Sequence, residues 1–94
     1  MDNQLTLNAE EIDIINSNYV NLPLPPSIPD SDVANIRHLY TILNLFVYYN
    51  HLFHNKIISY VALTQLKNLK AYYTLNLSDI DGLIHAAEDI LEES

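Results

Sequence analysis

VANIRHLYTILNLFVYYNHLF, residues 33–53, contains the most hydrophobic part of the chain. Apolar residues such as Ile36, Leu39 and Leu43 recur every three or four positions, which predicts an amphipathic helix. Further apolar residues extend around most of its circumference, and a helix of that kind is buried on several sides. The sequence therefore predicts either the central helix of the domain or the seam of a homodimer through residues 33–53.

Polar residues interrupt this stretch, among them Thr41, Asn44 and His51. A helix that crosses a bilayer needs about 20 predominantly apolar residues in succession, so we expect a core helix and no membrane partner. Residues 1–4, Met-Asp-Asn-Gln, lack the basic start and the apolar run of a signal peptide. We therefore expect a cytoplasmic protein.

The chain of 94 residues has the length of one small domain, and its composition narrows the fold class. Hydrophobic residues make up 49%, which argues against a disordered chain. The single glycine argues against an all-β fold with its many tight turns. Because the chain has no cysteine, disulfides, thiolate metal sites and cysteine nucleophiles are excluded. Residues 1–94 are therefore predicted to form one all-α domain.

The main helix is predicted to begin after Asp30 or Ser31, both good N-caps, and to reach about Phe53. A proline-rich segment, residues 18–31, precedes and overlaps its start. Its prolines are Pro23, Pro25, Pro26 and Pro29, and apolar residues alternate with them. Because proline favours extended backbone, we expect an ordered, extended strap packed on the body. The alternative is a ligand for an aromatic groove, since residues 23–26 form a PxxP-type segment.

Two further helices flank the main one. A short helix is expected over residues 9–16, with Asn8 as N-cap and Glu11 placed for a capping box. Residues 55–56 are expected to form a break, and a third helix follows from about 58 to 73, marked by a clear apolar stripe.

A fourth helix is predicted from Ser78 onward. Ser78 and Asp81 form an S-x-x-D capping pattern, and Gly82 lies inside the helix, where its small size would permit close packing. The predicted fold is thus a compact all-α bundle of three main helices, a short N-terminal helix and an extended Pro-rich strap.

The net charge of −8 is concentrated at the two ends of the chain. Six acidic residues lie in residues 1–32 and six in residues 79–93, while residues 33–78 contain none. An acidic chain argues against electrostatic binding of nucleic acid, so we expect no direct nucleic-acid binding. The helix dipole explains acids in a first turn, but it disfavours those at the end of the fourth helix.

Those C-terminal acids are therefore candidates for contact with a protein partner that has a basic surface. Together with acids of the first helix they form the predicted acidic patch, which comprises Glu88, Asp89, Glu92, Glu93, Glu10, Glu11 and Asp13. Tyrosine combines apolar area with a polar tip at interfaces. The predicted aromatic set comprises Tyr48, Tyr49, Tyr72 and Tyr73. The alternatives are a solubilising tail for the acids and packing at the rim of the core for the tyrosines.

Two patterns are only partly typical of metal sites. Residues 79, 81 and 88 match three ligand positions of an EF-hand loop, but Leu77 stands where the first carboxylate belongs. His51 and His54 share a helix face, and His85 could join them, whereas a zinc site needs three or four ligands in fixed geometry. We expect no metal, no cofactor and no catalytic residue.

These features predict a small acidic, non-catalytic protein-binding module that acts by stoichiometric binding, of the inhibitor or immunity type. Proteins of phages and mobile elements often have this profile, which is an analogy of class. One alternative is a nucleic-acid mimic that blocks a DNA- or RNA-binding protein. Another is a small secretion or assembly chaperone whose main helix pairs with an apolar partner. The remaining alternative is a small enzyme or a calcium sensor.

Overall fold

The computed structural model describes residues 6–49, 53 and 55–93. Within these residues the chain forms four helices and no strand, which confirms the predicted all-α class. The helices are α1 (Ala9–Ser17), α2 (Asp30–Tyr48), α3 (Lys56–Tyr73) and α4 (Ser78–Glu92). Over the residues described, no helix has both the length and the apolar character needed to cross a membrane.

Helix α2 is the central helix of the bundle. It packs against each of the other three helices, and α3 and α4 also pack against each other. Its fully buried apolar side chains include Ile36, Leu39, Ile42, Leu43, Leu45 and Phe46. Burial of one such side chain stabilises a fold by about 1.5–3 kcal/mol. The apolar character of α2 is thus used in the core of a single chain.

The start of α2 differs from the sequence prediction. Pro29 is the N-cap, and neither Asp30 nor Ser31 caps the helix, which already includes both. The Pro29 carbonyl accepts hydrogen bonds from the backbone N–H groups of Asp32 and Val33 at 3.0 and 2.9 Å. Proline suits this position because its fixed φ of −59° and a ψ of 148° lead the chain into the helix without needing a backbone donor.

The end of α2 and the start of α3 also correct the prediction. Helix α2 ends at Tyr48, because Tyr49 adopts φ −133° and ψ 40°, which is not helical. Phe53 is buried but lies beyond the helix, so its apolar side chain indicated burial and not helical backbone. Asn55, expected in a break, is the N-cap of α3, and its side chain accepts from the Ile58 N–H at 3.0 Å.

The start of α4 corrects two further expectations. Leu77 is the N-cap, Ser78 is already helical, and no side chain caps the helix. Asp81 instead forms an ion pair with Lys70 of α3, with an N–O distance of 3.2 Å. A Cβ atom built on Gly82 would meet no heavy atom within 4 Å, so close packing does not explain this glycine.

The segment between α1 and α2 is fixed to the body by both side chains and backbone. Leu22 and Ile28 are buried in the core. The Val20 N–H donates to Oγ1 of Thr41 at 2.9 Å, and Nε of Arg37 donates to the Leu22 carbonyl at 2.9 Å. Ordered packing of this segment is therefore visible. Its course is not extended throughout, because the Ile28 N–H donates to the Pro25 carbonyl at 3.3 Å across a turn at residues 26–27.

Helix α1 begins as predicted. The Glu11 N–H donates to Oδ1 of Asn8 at 2.8 Å, and the Asn8 N–H donates to Oε1 of Glu11 at 3.1 Å. This reciprocal capping box satisfies two backbone donors at the start of the helix. Ile15 is the buried residue of α1 and anchors it on the core.

Candidate protein-binding surface

Acidic residues from both ends of the chain lie at the N-terminal end of α3. Glu11 in the first turn of α1 accepts at Oε2 a hydrogen bond from Nδ2 of Asn55, the N-cap of α3, at 2.8 Å. Near the other end of the chain, Glu92 of α4 lines a cavity together with Tyr60, which lies close to the start of α3. The fold therefore gathers, around one helix end, acids that the sequence separates by about eighty residues.

The predicted acidic patch is divided by the structure into two clusters. Helices α1 and α4 both pack on α2, but over the described residues they do not pack on each other. Glu11 is engaged by the capping box and by Asn55, and Glu88 forms an ion pair with Lys67 at 2.7 Å. The patch members that are exposed and in no ion pair among the described residues are Glu10, Asp13, Asp89, Glu92 and Glu93.

The predicted tyrosines are divided between opposite ends of the bundle. The hydroxyl of Tyr73, at the end of α3, donates to Oδ2 of Asp32 at the start of α2, so these two helices run antiparallel. Tyr48 and Tyr49 are exposed at the other end of α2. Tyr72 is 78% exposed beside Tyr73, and their rings are perpendicular with centroids 4.8 Å apart. The aromatic set is therefore not one surface.

Tyr73 has an internal role that explains its presence. Its hydrogen bond to Asp32 is the main reason that the pKa of Tyr73 is raised to about 12, and burial and the Asp32 charge act in the same direction. The phenol therefore stays protonated at neutral pH and joins the end of α3 to the start of α2. Tyr73 is half-buried, unlike its neighbour Tyr72.

Two exposed apolar residues near the start of α3 lie outside the predicted aromatic set and the predicted acidic patch. Ile57 is 78% exposed and Tyr60 is 62% exposed, both near the start of α3. The sequence contains a pattern that indicates a shared helix face, because Ile57, Tyr60 and Thr64 recur at intervals of three and four residues. They lie off the stripe of Leu63 and Leu66 that α3 buries. The sequence already indicates Tyr60 as a tyrosine near a helix end, whereas it misses Ile57 because the third helix is predicted to begin only at about residue 58.

A cavity of about 320 Å³ opens between α3 and α4 beside Tyr60. Its lining residues are Tyr60, Leu63, Thr64, Lys67, Glu88, Leu91 and Glu92. We call this cavity the Tyr60 cleft. Its lining combines the apolar Leu63 and Leu91 and the aromatic Tyr60 with two carboxylates of α4, Glu88 and Glu92, that are one helical turn apart.

A second cavity of about 280 Å³ continues along the same two helices. It shares Lys67 and Glu88 with the Tyr60 cleft, and their ion pair lies between the two cavities. The hydrogen bond to Glu88 raises the pKa of Lys67, so the Lys67 ammonium remains charged at neutral pH. His85 and the Lys70–Asp81 ion pair line the second cavity.

The residues whose spacing partly resembles metal sites are not arranged as a metal site in the described part of the chain. The acids with EF-hand-like spacing, residues 79–88, all lie on the continuous helix α4 and not in a loop. His85 is exposed on α4, while His51 and His54 lie outside the described residues. Over the residues that the structure describes, no group of three or more histidines or acids is arranged to hold a metal ion.

Neither a family model, nor a curated protein, nor a solved structure matches this chain. The case for its function therefore depends on the geometry of the surface around the start of α3.

Proposed function

We propose that this protein is a small acidic, non-catalytic module that binds a protein partner with a basic surface, in stoichiometric fashion, as inhibitor or immunity-type proteins do. The observation that carries the proposal is the surface at the start of α3. There Ile57 and Tyr60 are exposed in the first turns of α3, Glu11 of α1 accepts from the N-cap Asn55, and Glu92 of α4 lines a cavity with Tyr60. An apolar centre with charged surroundings is the usual anatomy of a protein interface.

The two parts of this surface have different physical roles. Ile57 and Tyr60 provide apolar area that is removed from water when a partner covers it. The exposed acids, among them Glu92 and Asp13, favour approach of a basic partner and increase the rate of association. Binding of this kind does not use an apolar face of α2, because the apolar side chains of α2 already lie in the core.

A nucleic-acid mimic is the second candidate, and the gathering of acids from both chain ends around α3 favours it. A mimic needs carboxylates spaced like phosphates, about 6–7 Å apart along a strand. The exposed apolar pair Ile57 and Tyr60 favours the protein-binding module over the mimic, because a mimic of nucleic acid needs carboxylates and not apolar area at its surface. A homodimer or a chaperone complex through residues 33–53 has less support, because α2 is the central helix.

Three finer parts of the proposal have sequence support alone. They are the extended course of the Pro-rich strap, predicted over residues 18–31 but followed by α2 from Asp30 onward, a cytoplasmic setting, and an origin in a phage or mobile element. The burial of Leu22 and Ile28 agrees with a packed strap and leaves less of it for a PxxP-type ligand.

The test uses a partner captured from host cells and then purified, whose affinity is measured by titration calorimetry. Tyr60→Ala should weaken binding by about 2 kcal/mol, or roughly thirtyfold in Kd, if Tyr60 is a central contact. Tyr72→Ala is the matched control, because Tyr72 is also exposed on the same helix, at 78% against 62% for Tyr60, but lies at its opposite end.

Salt supplies the second measurement. Affinity of the wild-type protein should fall as the salt concentration rises, because exposed charges are screened. Equal weakening by both tyrosine variants, or a complex whose affinity does not change with salt, would contradict the proposal.

A further inference from the structure

The Tyr60 cleft has the shape and chemistry to receive one kind of side chain. Leu63 and Leu91 supply apolar lining, and Tyr60 supplies an aromatic ring from α3. Glu88 and Glu92 lie on α4 at positions i and i+4, where Cβ atoms are about 5–6 Å apart. An occupant must therefore combine an apolar stem with a polar head.

The net charge of the cleft determines whether the polar head of the occupant is a cation or an anion. Lys67 contributes one positive charge and is already paired with Glu88 at 2.7 Å. Among the described residues, Glu92 has no ion pair and is exposed. The C-terminal end of α4 adds the negative end of its helix dipole at the same place. The cleft thus carries an uncompensated negative charge and favours a cation.

Arginine fits these requirements better than lysine. Its planar guanidinium stacks on aromatic rings and pairs with carboxylates through two parallel hydrogen bonds. Its alkyl stem covers apolar surface while the charged head remains at the rim. A cleft lined by the ring of Tyr60, the carboxylate of Glu92 and two leucines offers all three contacts.

We propose that the Tyr60 cleft receives an arginine side chain of the protein partner, with its stem on Leu63 and Leu91, its guanidinium against the Tyr60 ring, and its N–H groups donating to Glu92. This inference rests on the proposed function and specifies the residue of the basic partner that is recognised. The surface beyond the cleft, including Ile57, then contacts the residues that flank this arginine.

The test uses three synthetic helical peptides that differ only at one position, which is arginine, lysine or citrulline, on an otherwise identical basic background. Each is titrated into the ¹⁵N-labelled protein and followed by NMR. We expect the arginine peptide to shift the backbone amides of Leu63, Thr64 and Leu91. Citrulline should weaken binding by about tenfold, because it keeps the shape but loses the charge-assisted hydrogen bonds.

Protein variants locate the contact. Glu92→Gln should reduce the preference for arginine over citrulline, whereas Glu93→Gln, the exposed neighbour that does not line the cleft, should retain it. Tyr60→Leu should reduce the preference for arginine over lysine by about two- to fivefold, the size of an exposed cation–π contact. The Tyr72→Leu variant is the control for a tyrosine far from the cleft.

The possible failures are distinct. If all three peptides shift residues around Ile57 with equal affinity, the arginine proposal is overturned while the proposed function stands. If no basic peptide shifts any residue near the start of α3 and the captured partner is insensitive to Tyr60→Ala, both are overturned.

Discussion

Replacing Thr41 with valine tests how the segment before α2 is attached to the core. Thr41 is fully buried, and its hydroxyl has two partners. Oγ1 accepts from the Val20 N–H at 2.9 Å and donates to the Arg37 carbonyl at 2.9 Å. Valine has nearly the same shape but no oxygen, so Thr41→Val removes the acceptor of Val20 without creating a cavity.

The expected loss follows from the Val20 amide. A buried donor left without a partner costs about 1–3 kcal/mol. Val20 is only half-buried, so water reaches part of this site and the lower half of that range applies. We expect Thr41→Val to lower the free energy of unfolding by about 1–2 kcal/mol, or roughly 4–16 °C in Tm for a domain of this size.

Thr41→Ser is the matched control, because it keeps the oxygen and loses only a methyl group, worth about 0.8 kcal/mol. Chemical denaturation measures both variants, and amide hydrogen exchange separates their mechanisms. The Val20 amide should stay protected in Thr41→Ser and exchange much faster in Thr41→Val. A Thr41→Val protein of unchanged stability, with Val20 still protected, would refute the role assigned to this hydroxyl.

Three further perturbations probe other parts of the fold. Gly82→Ala should stabilise the protein by about 0.5–1 kcal/mol and raise Tm by roughly 2–8 °C, because alanine favours the helix and its methyl group has room. A lower Tm in calorimetry would contradict this. Asn55→Asp keeps a good cap for α3 but replaces the donor to Glu11 with a like charge. Amide exchange should therefore accelerate in α1 while the start of α3 stays protected, and equal acceleration in both helices would contradict this. The pKa of Tyr73 is raised from 10 to about 12 by its bond to Asp32, so its contribution to stability is complete below pH 10 and is lost as the pH rises through 12. Urea unfolding should therefore show a smaller fall in stability between pH 10 and 12 for Tyr73→Phe than for the wild-type protein, and identical falls would disprove the link.

Sequence reasoning succeeded where the determining signal is local. The capping box of α1 depends on two residues three positions apart, and both of its hydrogen bonds form. The existence of α2 followed from periodic apolar residues. Thr41 shows the limit of the same pattern, because it was read as a polar interruption of an apolar stretch. In the structure it is buried, and its partner Val20 lies 21 residues away.

Helix boundaries failed for a physical reason. The spacing of apolar residues indicates which side chains are buried, and Phe53 is buried although α2 ends at Tyr48. Capping residues are also ambiguous when several occur together. Ser78 has the chemistry of an N-cap, yet Leu77 occupies that position, and Asp81 pairs with Lys70 across the α3–α4 contact. A tertiary ion pair thus uses the residue that the local motif had assigned to a cap.

The acid-free middle of the chain acquires a meaning that only the fold reveals. Residues 33–78 supply most of the central helix and α3, whereas the acids among the described residues lie on α1, at the start of α2, on α4 and at its C-cap. Glu11 lies near the positive end of the α3 dipole, which favours it, whereas Glu92 lies near the negative end of the α4 dipole, which does not. The fold therefore stabilises the first acid and leaves the second without an ion pair among the described residues, so that Glu92 is available for the contact proposed above.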